Sequence, residues 1–221
     1  MDKMKIYYNS KKIIKSNVVF GFFTRKGGLS KGNFSSLNCS KNSGDNKKNV
    51  SHNINLAIKK LNLEKKILKT IKQVHSSKIV LINKNNLNKK FEADGIITQD
   101  HNISIAVLTA DCCPIFLYDI DNSFISCLHV GWKGAYKNII KKAVERIIKI
   151  QPNIKKIQSI IGPCLHKINF EVDKNFKKKF ILKNSKYSKF FENYSKEEKH
   201  LFDFQSLIKF QLLESNLRNI E

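Results

Sequence analysis

The chain has 221 residues, of which 41% are hydrophobic, and its formal net charge at pH 7 is +23. This apolar content is enough for a buried core, but no apolar run approaches the roughly 20 residues that a membrane-spanning helix requires. The residues that follow Met1 contain no apolar signal-peptide core. We therefore expect a single-domain cytoplasmic protein over residues 1–221, without a membrane partner.

The positive charge is spread along the chain rather than concentrated in one segment. Lys and Arg total 41 against 18 Asp and Glu, and the lysines are interspersed with Asn and Ile. No aromatic RNA-binding motif accompanies them. We therefore do not expect a nucleic-acid partner, and we expect a general preference for small anionic ligands.

The five cysteines are Cys39, Cys112, Cys113, Cys127 and Cys164. No two of them have the C-x-x-C spacing of a zinc ribbon or a redox dithiol. An odd number of cysteines without an export signal indicates free thiols rather than disulfides.

The first predicted elements are a strand, a glycine-rich loop and a helix. Residues 18–23 are apolar and predict a strand, and residues 24–32 form a basic loop that is either a surface hairpin or an anion-contacting loop. Residues 51–61 place their apolar side chains on one side and predict a helix. No other chemistry is evident in this segment.

Two polar residues come next: His75 precedes the predicted strand 78–82, and Asp94 lies in the segment 91–98, a short turn that enters a strand. His75 lies in a polar turn, where a surface histidine is as good an interpretation as a ligand. Asp94 comes directly before Gly95. It is either a turn former or a carboxylate that orients a ligand histidine.

The most informative stretch runs from residue 103 to residue 150. Its apolar, β-branched runs 103–109, 115–118 and 124–129 are bounded by turn residues and predict strands. Cys112 follows one strand and His129 ends another. Side chains at strand ends converge when the strands share a sheet, so this thiol and imidazole indicate either a metal site or a nucleophile–base pair.

A glycine turn and a predicted helix follow His129. Gly131 and Gly134 flank Trp132 and Lys133, and the apolar residues of 135–150 recur on one helical face. Free backbone N–H groups at such a turn suit an anion, phosphate above all. Alternatively, Gly131 and Gly134 only form a tight connection between strand and helix and bind no ligand.

The remaining elements carry less chemistry. Residues 157–161 predict a strand, and the loop after it contains Cys164 and His166, which are either ligands or loop residues. Residues 174–199 predict irregular helix and surface, and residues 205–217 predict a closing helix.

Eight short segments together resemble the bacterial polyphenol-oxidase-like family, also called multicopper polyphenol oxidoreductase, peptidoglycan editing factor or purine nucleoside phosphorylase. These segments are 24–28, 36–38, 73–75, 93–94, 109–112, 129–134, 161–164 and 171–172. Each is weak alone, but their order and spacing are specific and extend over nearly the whole chain. The resemblance implies an α/β fold, a layered α/β/β/α sandwich with mixed sheets.

The resemblance also implies a zinc site formed by His75, Cys112 and His129, with copper as the alternative metal. Three protein ligands leave a fourth position open, which is the catalytic arrangement. Asp94 and Asp111 are the candidates for acid–base chemistry or for orienting a ligand.

The implied reaction is phosphorolysis of adenosine, inosine or methylthioadenosine to free base and ribose 1-phosphate, together with adenosine deamination. The substrate-binding candidates are Arg25, Asn38, Trp132, Lys133 and Gly134. The implied partners are a purine nucleoside and phosphate, in a monomer or homodimer.

The chain departs from the family pattern in three places, one of which is His166, in a loop that commonly contains Gly. Lys133 stands where the family usually has Arg, so the geometry of anion binding is expected to be looser. The chain ends at Glu221 without the usual Cys-Thr pair and Phe-Ser-x-Arg-Arg tail, and we expect altered activity if that tail contacts substrate. A cysteine hydrolase that edits peptidoglycan precursors and a laccase-like phenol oxidase are the alternative functions.

Overall fold

The structure, a computed structural model, describes residues 7–8, 18–121, 123–154, 156–194 and 199–221. In these ranges the strands are β1 Tyr7–Tyr8, β2 Phe22–Phe23, β3 Ile67–Lys69, β4 Ile79–Ile82, β5 Gly95–Thr98, β6 Ile103–Ile105, β7 Cys113–Asp119, β8 Ile125–Val130, β9 Ile157–Ile161, β10 Glu171–Val172, β11 Phe191–Asn193, β12 His200–Phe202 and β13 Asn219–Ile220. The α-helices are α1 Lys47–Lys60, α2 Trp132–Tyr136, α3 Ile139–Ile150, α4 Lys174–Lys183 and α5 Phe204–Glu214.

A six-stranded mixed sheet organises the fold, with strand order β13-β9-β7-β8-β5-β4. Each adjacent pair within the series β9-β7-β8-β5 is antiparallel, whereas at the two edges β13 pairs with β9 and β4 pairs with β5 in parallel. Smaller sheets pair β1 with β2, β3 with β6, and β12 with both β10 and β11. The expected mixed α/β class with several sheets is confirmed.

The two faces of the large sheet pack against different layers. Ile97 belongs to the main core, which includes buried side chains of α3 and α5, whereas its neighbour Ile96 belongs to a second core shared with Ile103 of β6. This division follows from the alternation of side chains along a strand. In α3, Ile139, Ile140 and Ile147 are fully buried, and each contributes about 1.5–3 kcal/mol through removal of apolar surface from water.

The predicted helix over residues 135–150 is interrupted in the structure. The short helix α2 ends at Tyr136, and α3 begins at Ile139. Between them Asn138 has φ +57°, in the left-handed region that breaks a helical run. Most of the predicted apolar face is nevertheless buried from Ile139 to Ile147, because the amphipathic period is preserved within α3, but Ile148, which was predicted to belong to it, is exposed.

Several predicted boundaries were wrong. Of residues 18–23 only Phe22–Phe23 is strand, and the strand predicted over 103–109 stops at Ile105. The backbone of Leu108 pairs with the Gln73 side chain instead of a neighbouring strand. Helix α1 begins at Lys47, four residues earlier than predicted, because the Asn46 side chain accepts hydrogen bonds from the first turn.

The region predicted as irregular, residues 174–199, is more regular than expected up to residue 194. Asp173 caps α4 by accepting a hydrogen bond from the backbone N–H of Phe176. Phe176 and Phe180, one helical turn apart, stack with ring centroids 4.9 Å apart and anchor the helix. Residues 195–198 lie outside the described residues.

Candidate metal centre

Three side chains from separate parts of the chain meet at one end of the large sheet. The nearest donor atoms of His75, Cys112 and His129 all lie within 4.8 Å of one another. The Cys112 Sγ is 3.8 Å from the His75 Nε2, and the two imidazole rings meet edge to face with centroids 4.8 Å apart. His75 is exposed, Cys112 is partly buried and His129 is buried, so the group has one side open to solvent.

The sheet brings Cys112 and His129 together. In the β7–β8 pair, Cys113 lies opposite Val130 and Pro114 lies opposite His129. Cys112 directly precedes β7, and His129 is near the end of β8. Antiparallel pairing of the two strands therefore places both residues at the same end of the sheet. The start of β5 joins them, because the His129 N–H donates to the Asp94 backbone carbonyl at 2.7 Å.

Asp94 fixes the orientation of the His129 ring. Its fully buried carboxylate lies 2.8 Å from the His129 Nδ1. Burial by itself would lower the pKa of His129, but the Asp94 hydrogen bond and the neighbouring Cys112 outweigh it and raise the pKa to about 9. For Asp94, burial opposes ionisation, but hydrogen bonds from His129 and Ser76 lower its pKa to about 2. With the Nδ1–H directed at Asp94, an ion bound at Nε2 would take the place of the second proton of this imidazolium.

The same carboxylate holds the turn that carries His75. It accepts hydrogen bonds from the backbone N–H groups of Val74, His75 and Ser76 and from the Ser76 hydroxyl. His75 has φ +55°, a left-handed conformation that costs a non-glycine residue roughly 1–2 kcal/mol. These hydrogen bonds compensate for that strain. Asp94 therefore positions two of the three candidate ligands.

A second pair of hydrogen bonds holds the segment that precedes His75. The Gln73 amide donates to the Leu108 carbonyl at 2.7 Å and accepts from the Leu108 N–H at 2.8 Å. This pairing ties the segment before His75 to the segment before Cys112. Two ligands that are 37 residues apart are thereby held together.

Glycine at position 131 is required by the close approach of two ligands. A Cβ atom there would lie 2.9 Å from the Cys112 Sγ and 3.0 Å from the His75 Cδ2. Both contacts are shorter than or at the limit of van der Waals packing, so any larger residue would displace the ligands. At Gly134 a Cβ would lie 3.2 Å from the Ser76 carbonyl, which brings α2 close to the His75 turn.

The donor set fits a single borderline metal ion. One thiolate and two imidazoles suit zinc and also suit copper, and three protein ligands leave a coordination position for substrate or water. No second group of three or more His, Cys, Asp or Glu side chains is close enough to hold an ion in the part of the chain that the structure describes. These residues therefore offer one mononuclear centre rather than a copper cluster.

The other predicted site residues fall into two groups. Trp132 and Lys133 directly follow Gly131, and the Lys133 ammonium lies 5.5 Å from the centroid of the Trp132 ring. Asp111 is exposed and adjacent to Cys112, and its carbonyl accepts a hydrogen bond from the Leu165 N–H. Trp132, Lys133, Gly134 and Asp111 thus adjoin the centre through chain connectivity.

Arg25 and Asn38 lie in the N-terminal loop, which has its own anchor. Asn53 of α1 is fully buried and hydrogen-bonds Ser30 and the carbonyls of Ser36 and Asn38. The Asn38 side chain itself bonds Ser43, Asp45 and the Ser40 N–H. The Arg25 side chain is exposed. Substrate contacts by Arg25 and Asn38 stay predictions.

Sequence reasoning missed the roles of Gln73, Ser76 and Asn53. Gln73 and Ser76 flank His75, but their partners lie 35 and 18 residues away in the chain. Asn53 interrupts the apolar face of α1 and is buried there, a pattern that signals a hydrogen-bonded polar residue. A polar residue on the apolar face of a predicted helix is therefore the one sequence signal that could have identified Asn53.

Fold and site together define a mixed α/β protein with a group of three potential metal ligands, open on one side, at the end of its main sheet. The family described as multi-copper polyphenol oxidoreductase laccase matches residues 19–221, and the chain belongs to it. No helix among the described residues is both long enough and apolar enough to cross a membrane.

Relatives and solved structures agree with this assignment. The chain is 34% identical over 151 residues to "Purine nucleoside phosphorylase RP494" of Rickettsia prowazekii and 32% identical over 151 residues to "Purine nucleoside phosphorylase Cj1217c" of Campylobacter jejuni. These matches cover 68% and 67% of this chain but only 62% of each relative, so the chain spans less than two thirds of their length.

Two crystal structures share the fold. Neisseria meningitidis protein NMB0706 superposes with a TM-score of 0.84 at 21% identity, covering 98% of this chain and 86% of that one. The hypothetical protein YfiH of Bacillus licheniformis superposes with a TM-score of 0.83 at 25% identity, covering 91% and 79%. The expected fold is confirmed by both.

Proposed function

We propose that this chain is a cytoplasmic, zinc-dependent purine nucleoside phosphorylase that also deaminates adenosine. The observation that carries the proposal is the convergence of His75, Cys112 and His129, with donor atoms within 4.8 Å of one another. Relatives named purine nucleoside phosphorylases support the reaction class. The substrates would be adenosine, inosine or methylthioadenosine together with phosphate.

The three ligands would have distinct roles. Zinc held by them would supply Lewis-acid chemistry at an open coordination position. Cys112 would bind as the thiolate, and His129 would bind through Nε2 because its Nδ1 faces Asp94. His75, on the exposed side, would border the opening through which a nucleoside enters.

Asp94 and Asp111 would have different roles, one in positioning the ligands and the other in proton transfer. The Asp94 carboxylate is fully buried and accepts hydrogen bonds from five donor atoms. It is therefore not accessible for proton exchange with a substrate. Asp111 is exposed beside Cys112. We assign Asp94 to positioning and Asp111 to proton transfer at the purine.

Phosphate would be bound by cationic side chains near the open face. Lys133 is exposed and follows the glycine that contacts two ligands, and Arg25 is an exposed guanidinium on the N-terminal loop. Lysine provides a mobile point charge, whereas arginine provides a planar pair of donors. Trp132 would contribute an aromatic surface for the purine, with Asn38 and Gly134 completing the substrate contacts.

The test is to incubate the purified chain with each nucleoside, with and without phosphate, and to measure free base, ribose 1-phosphate and inosine by chromatography. We expect phosphate-dependent release of free base that a strong chelator abolishes and added zinc restores. Conversion of adenosine to inosine should not require phosphate. Turnover that survives complete removal of metal, or its absence from the zinc-loaded chain, would contradict the proposal.

One observation favours a second candidate function. The donor atoms of Cys112 and His129 lie within 4.8 Å of each other, and the His129 Nδ1 faces Asp94, an arrangement that resembles a cysteine nucleophile with an oriented base. A cysteine hydrolase acting on peptidoglycan precursors would use it without metal. Metal-depleted protein that remains active and loses activity on alkylation of Cys112 would establish this alternative. A phenol oxidase would instead need copper, and added copper should then support phenol oxidation.

A further inference from the structure

Helices α2 and α4 pack against each other through four aromatic rings. Trp132 meets Phe176 edge to face with ring centroids 5.1 Å apart, and Tyr136 meets Phe180 in the same way at 5.3 Å. In each helix the two aromatic residues are four positions apart, so they lie on one helical face. The four rings therefore fix the two helices side by side.

Three lysine ammonium groups lie over the two rings of α2. The Nζ atoms of Lys133 and Lys179 lie 5.5 Å and 5.2 Å from the centroid of the Trp132 ring. The Lys179 Nζ is also 4.9 Å from the centroid of the Tyr136 ring, and the Lys183 Nζ is 5.1 Å from that centroid. Lys179 thus connects the two rings, and Lys133, Lys179 and Lys183 together form what we call the lysine row.

The packing of the rings determines where the α4 lysines lie. Lys179 and Lys183 follow Phe176 and Phe180 by three residues, a spacing that places each lysine on nearly the same helical face as its phenylalanine. Because Phe176 and Phe180 are held against α2, both lysines reach the α2 rings. All three lysines of the row are nevertheless exposed, so a ligand in solution can reach them.

The charge of the lysine row is not neutralised within the described part of the chain. None of the ion pairs found there involves Lys133, Lys179 or Lys183. An aromatic ring attracts a cation through its quadrupole but carries no net charge of its own. Ammonium groups gathered around two rings repel one another, and an anion placed among them would replace this repulsion by attraction. The row therefore has the charge of a site for a multiply charged anion.

The extent of the row indicates the class of anion. Lys179 and Lys183 are four residues apart on α4, which is about 6 Å along the helix axis. Lysine binds phosphate as a point charge and imposes little geometry on it. The number and spacing of the charges therefore select the ligand. A single phosphate can contact two neighbouring ammonium groups, whereas linked phosphates can contact all three.

We propose that the lysine row binds an oligophosphate, either an inorganic one or the phosphate chain of a nucleotide. Lys179 contacts both rings and would bind in the middle of the chain of phosphates, with Lys133 and Lys183 on either side. Lys133 would be shared with the phosphate contact proposed above. Lys179 and Lys183 belong to neither the metal centre nor the nucleoside contacts, and the site does not depend on the phosphorylase reaction.

The chain contains a tryptophan that reports on this site directly. Trp132 is the only tryptophan in the sequence, and its emission should change when the ammonium groups over its ring move toward an anion. Tripolyphosphate, ATP and inorganic phosphate are each titrated into the purified, zinc-loaded chain, and tryptophan emission and calorimetry measure binding.

We expect saturable, one-to-one binding of tripolyphosphate and much weaker binding of inorganic phosphate. Higher salt should weaken the binding, because exposed charges are screened. Both possible results with ATP support the site and differ only in the source of the ligand. Tighter binding than tripolyphosphate indicates a nucleotide, and equal binding indicates that the phosphate chain alone is recognised.

Glutamine variants of the exposed lysines identify the binding residues. Lys179→Gln and Lys183→Gln should each weaken tripolyphosphate binding about fivefold, the upper range for one exposed ion pair. Lys178→Gln is the matched control, because Lys178 is exposed on the same helix and removes the same charge. It should bind like the wild type. Circular dichroism checks the fold, and elemental analysis checks that the oligophosphate has not removed zinc, an effect that would be equal in all variants.

Three results would overturn the proposal. The first is an equal loss of affinity in Lys178→Gln and Lys179→Gln, which would mean that only the net charge of the chain matters. The second is unchanged affinity in folded Lys179→Gln protein. The third is the absence of saturable binding, or binding of inorganic phosphate as tight as that of tripolyphosphate.

Discussion

Asp94 offers the sharpest test of how the metal centre is built, through the variant Asp94→Asn. The carboxylate accepts hydrogen bonds from Val74, His75, Ser76 and His129, whereas an amide keeps only one oxygen as acceptor. The amide nitrogen would then face at least one backbone N–H donor. A hydrogen bond to a charged group contributes about 1.5–3 kcal/mol, and loss of one partner from a buried charged pair costs about 3–5 kcal/mol.

We therefore expect Asp94→Asn to lower the free energy of unfolding by about 3–5 kcal/mol. Metal affinity should fall roughly 10–100-fold, the range found when a group that orients a ligand is removed. Denaturant titration measures the first quantity, and competition with a chromogenic chelator measures the second. Ser76→Ala removes one donor to the same carboxylate and should produce a smaller effect of the same sign.

Asp119→Asn is the matched control. Asp119 is also buried and accepts hydrogen bonds from Ser123 and Phe124, but it lies at the opposite end of the seven-residue strand β7. That end is roughly 20 Å from the centre at the usual rise of a strand. The control should lose stability and keep its metal affinity. Wild-type metal affinity in a folded Asp94→Asn protein would refute the assigned positioning role.

Three further substitutions test separate parts of the structure. Gly131→Ala should lower metal affinity with the fold retained, because the new Cβ would lie 2.9 Å from the Cys112 Sγ; chelator competition and circular dichroism check this, and unchanged affinity would contradict it. Gln73→Ala should also weaken metal binding by releasing Leu108, and hydrogen exchange at the Leu108 amide should accelerate. Asn53→Ala should destabilise the chain by roughly 2–5 kcal/mol because it leaves buried groups of the N-terminal loop without partners, but metal affinity should not change in folded protein.

The sequence predicted the part of the centre that depends on regular strands. Short β-branched runs bounded by turn residues predicted that Cys112 and His129 lie at strand ends. The prediction placed Cys112 after the run 103–109, whereas in the structure it precedes β7, and the antiparallel pairing of β7 with β8 brings it to His129. His75 could be added only through the family resemblance. Its turn is polar and exposed, and its conformation depends on a carboxylate 19 residues away.

The boundaries that were wrong share a physical cause. Asn138 in a left-handed conformation divided a helix whose apolar period continued, and the side chain of Gln73 took the place of a strand partner for Leu108. In both cases a single residue, or one long-range side-chain contact, overrode a correct local pattern. Such contacts leave no periodic signal in the sequence.

The most direct measurement of the central claim is the metal content of the purified chain by elemental analysis, compared with that of Cys112→Ala and the control Cys39→Ala. We expect one zinc ion per chain in the wild type and in the control, and none in Cys112→Ala at equal helical content. Zinc retained in full by the folded Cys112→Ala protein, or a wild-type chain that takes up no metal from a zinc-containing buffer, would contradict a centre built from His75, Cys112 and His129.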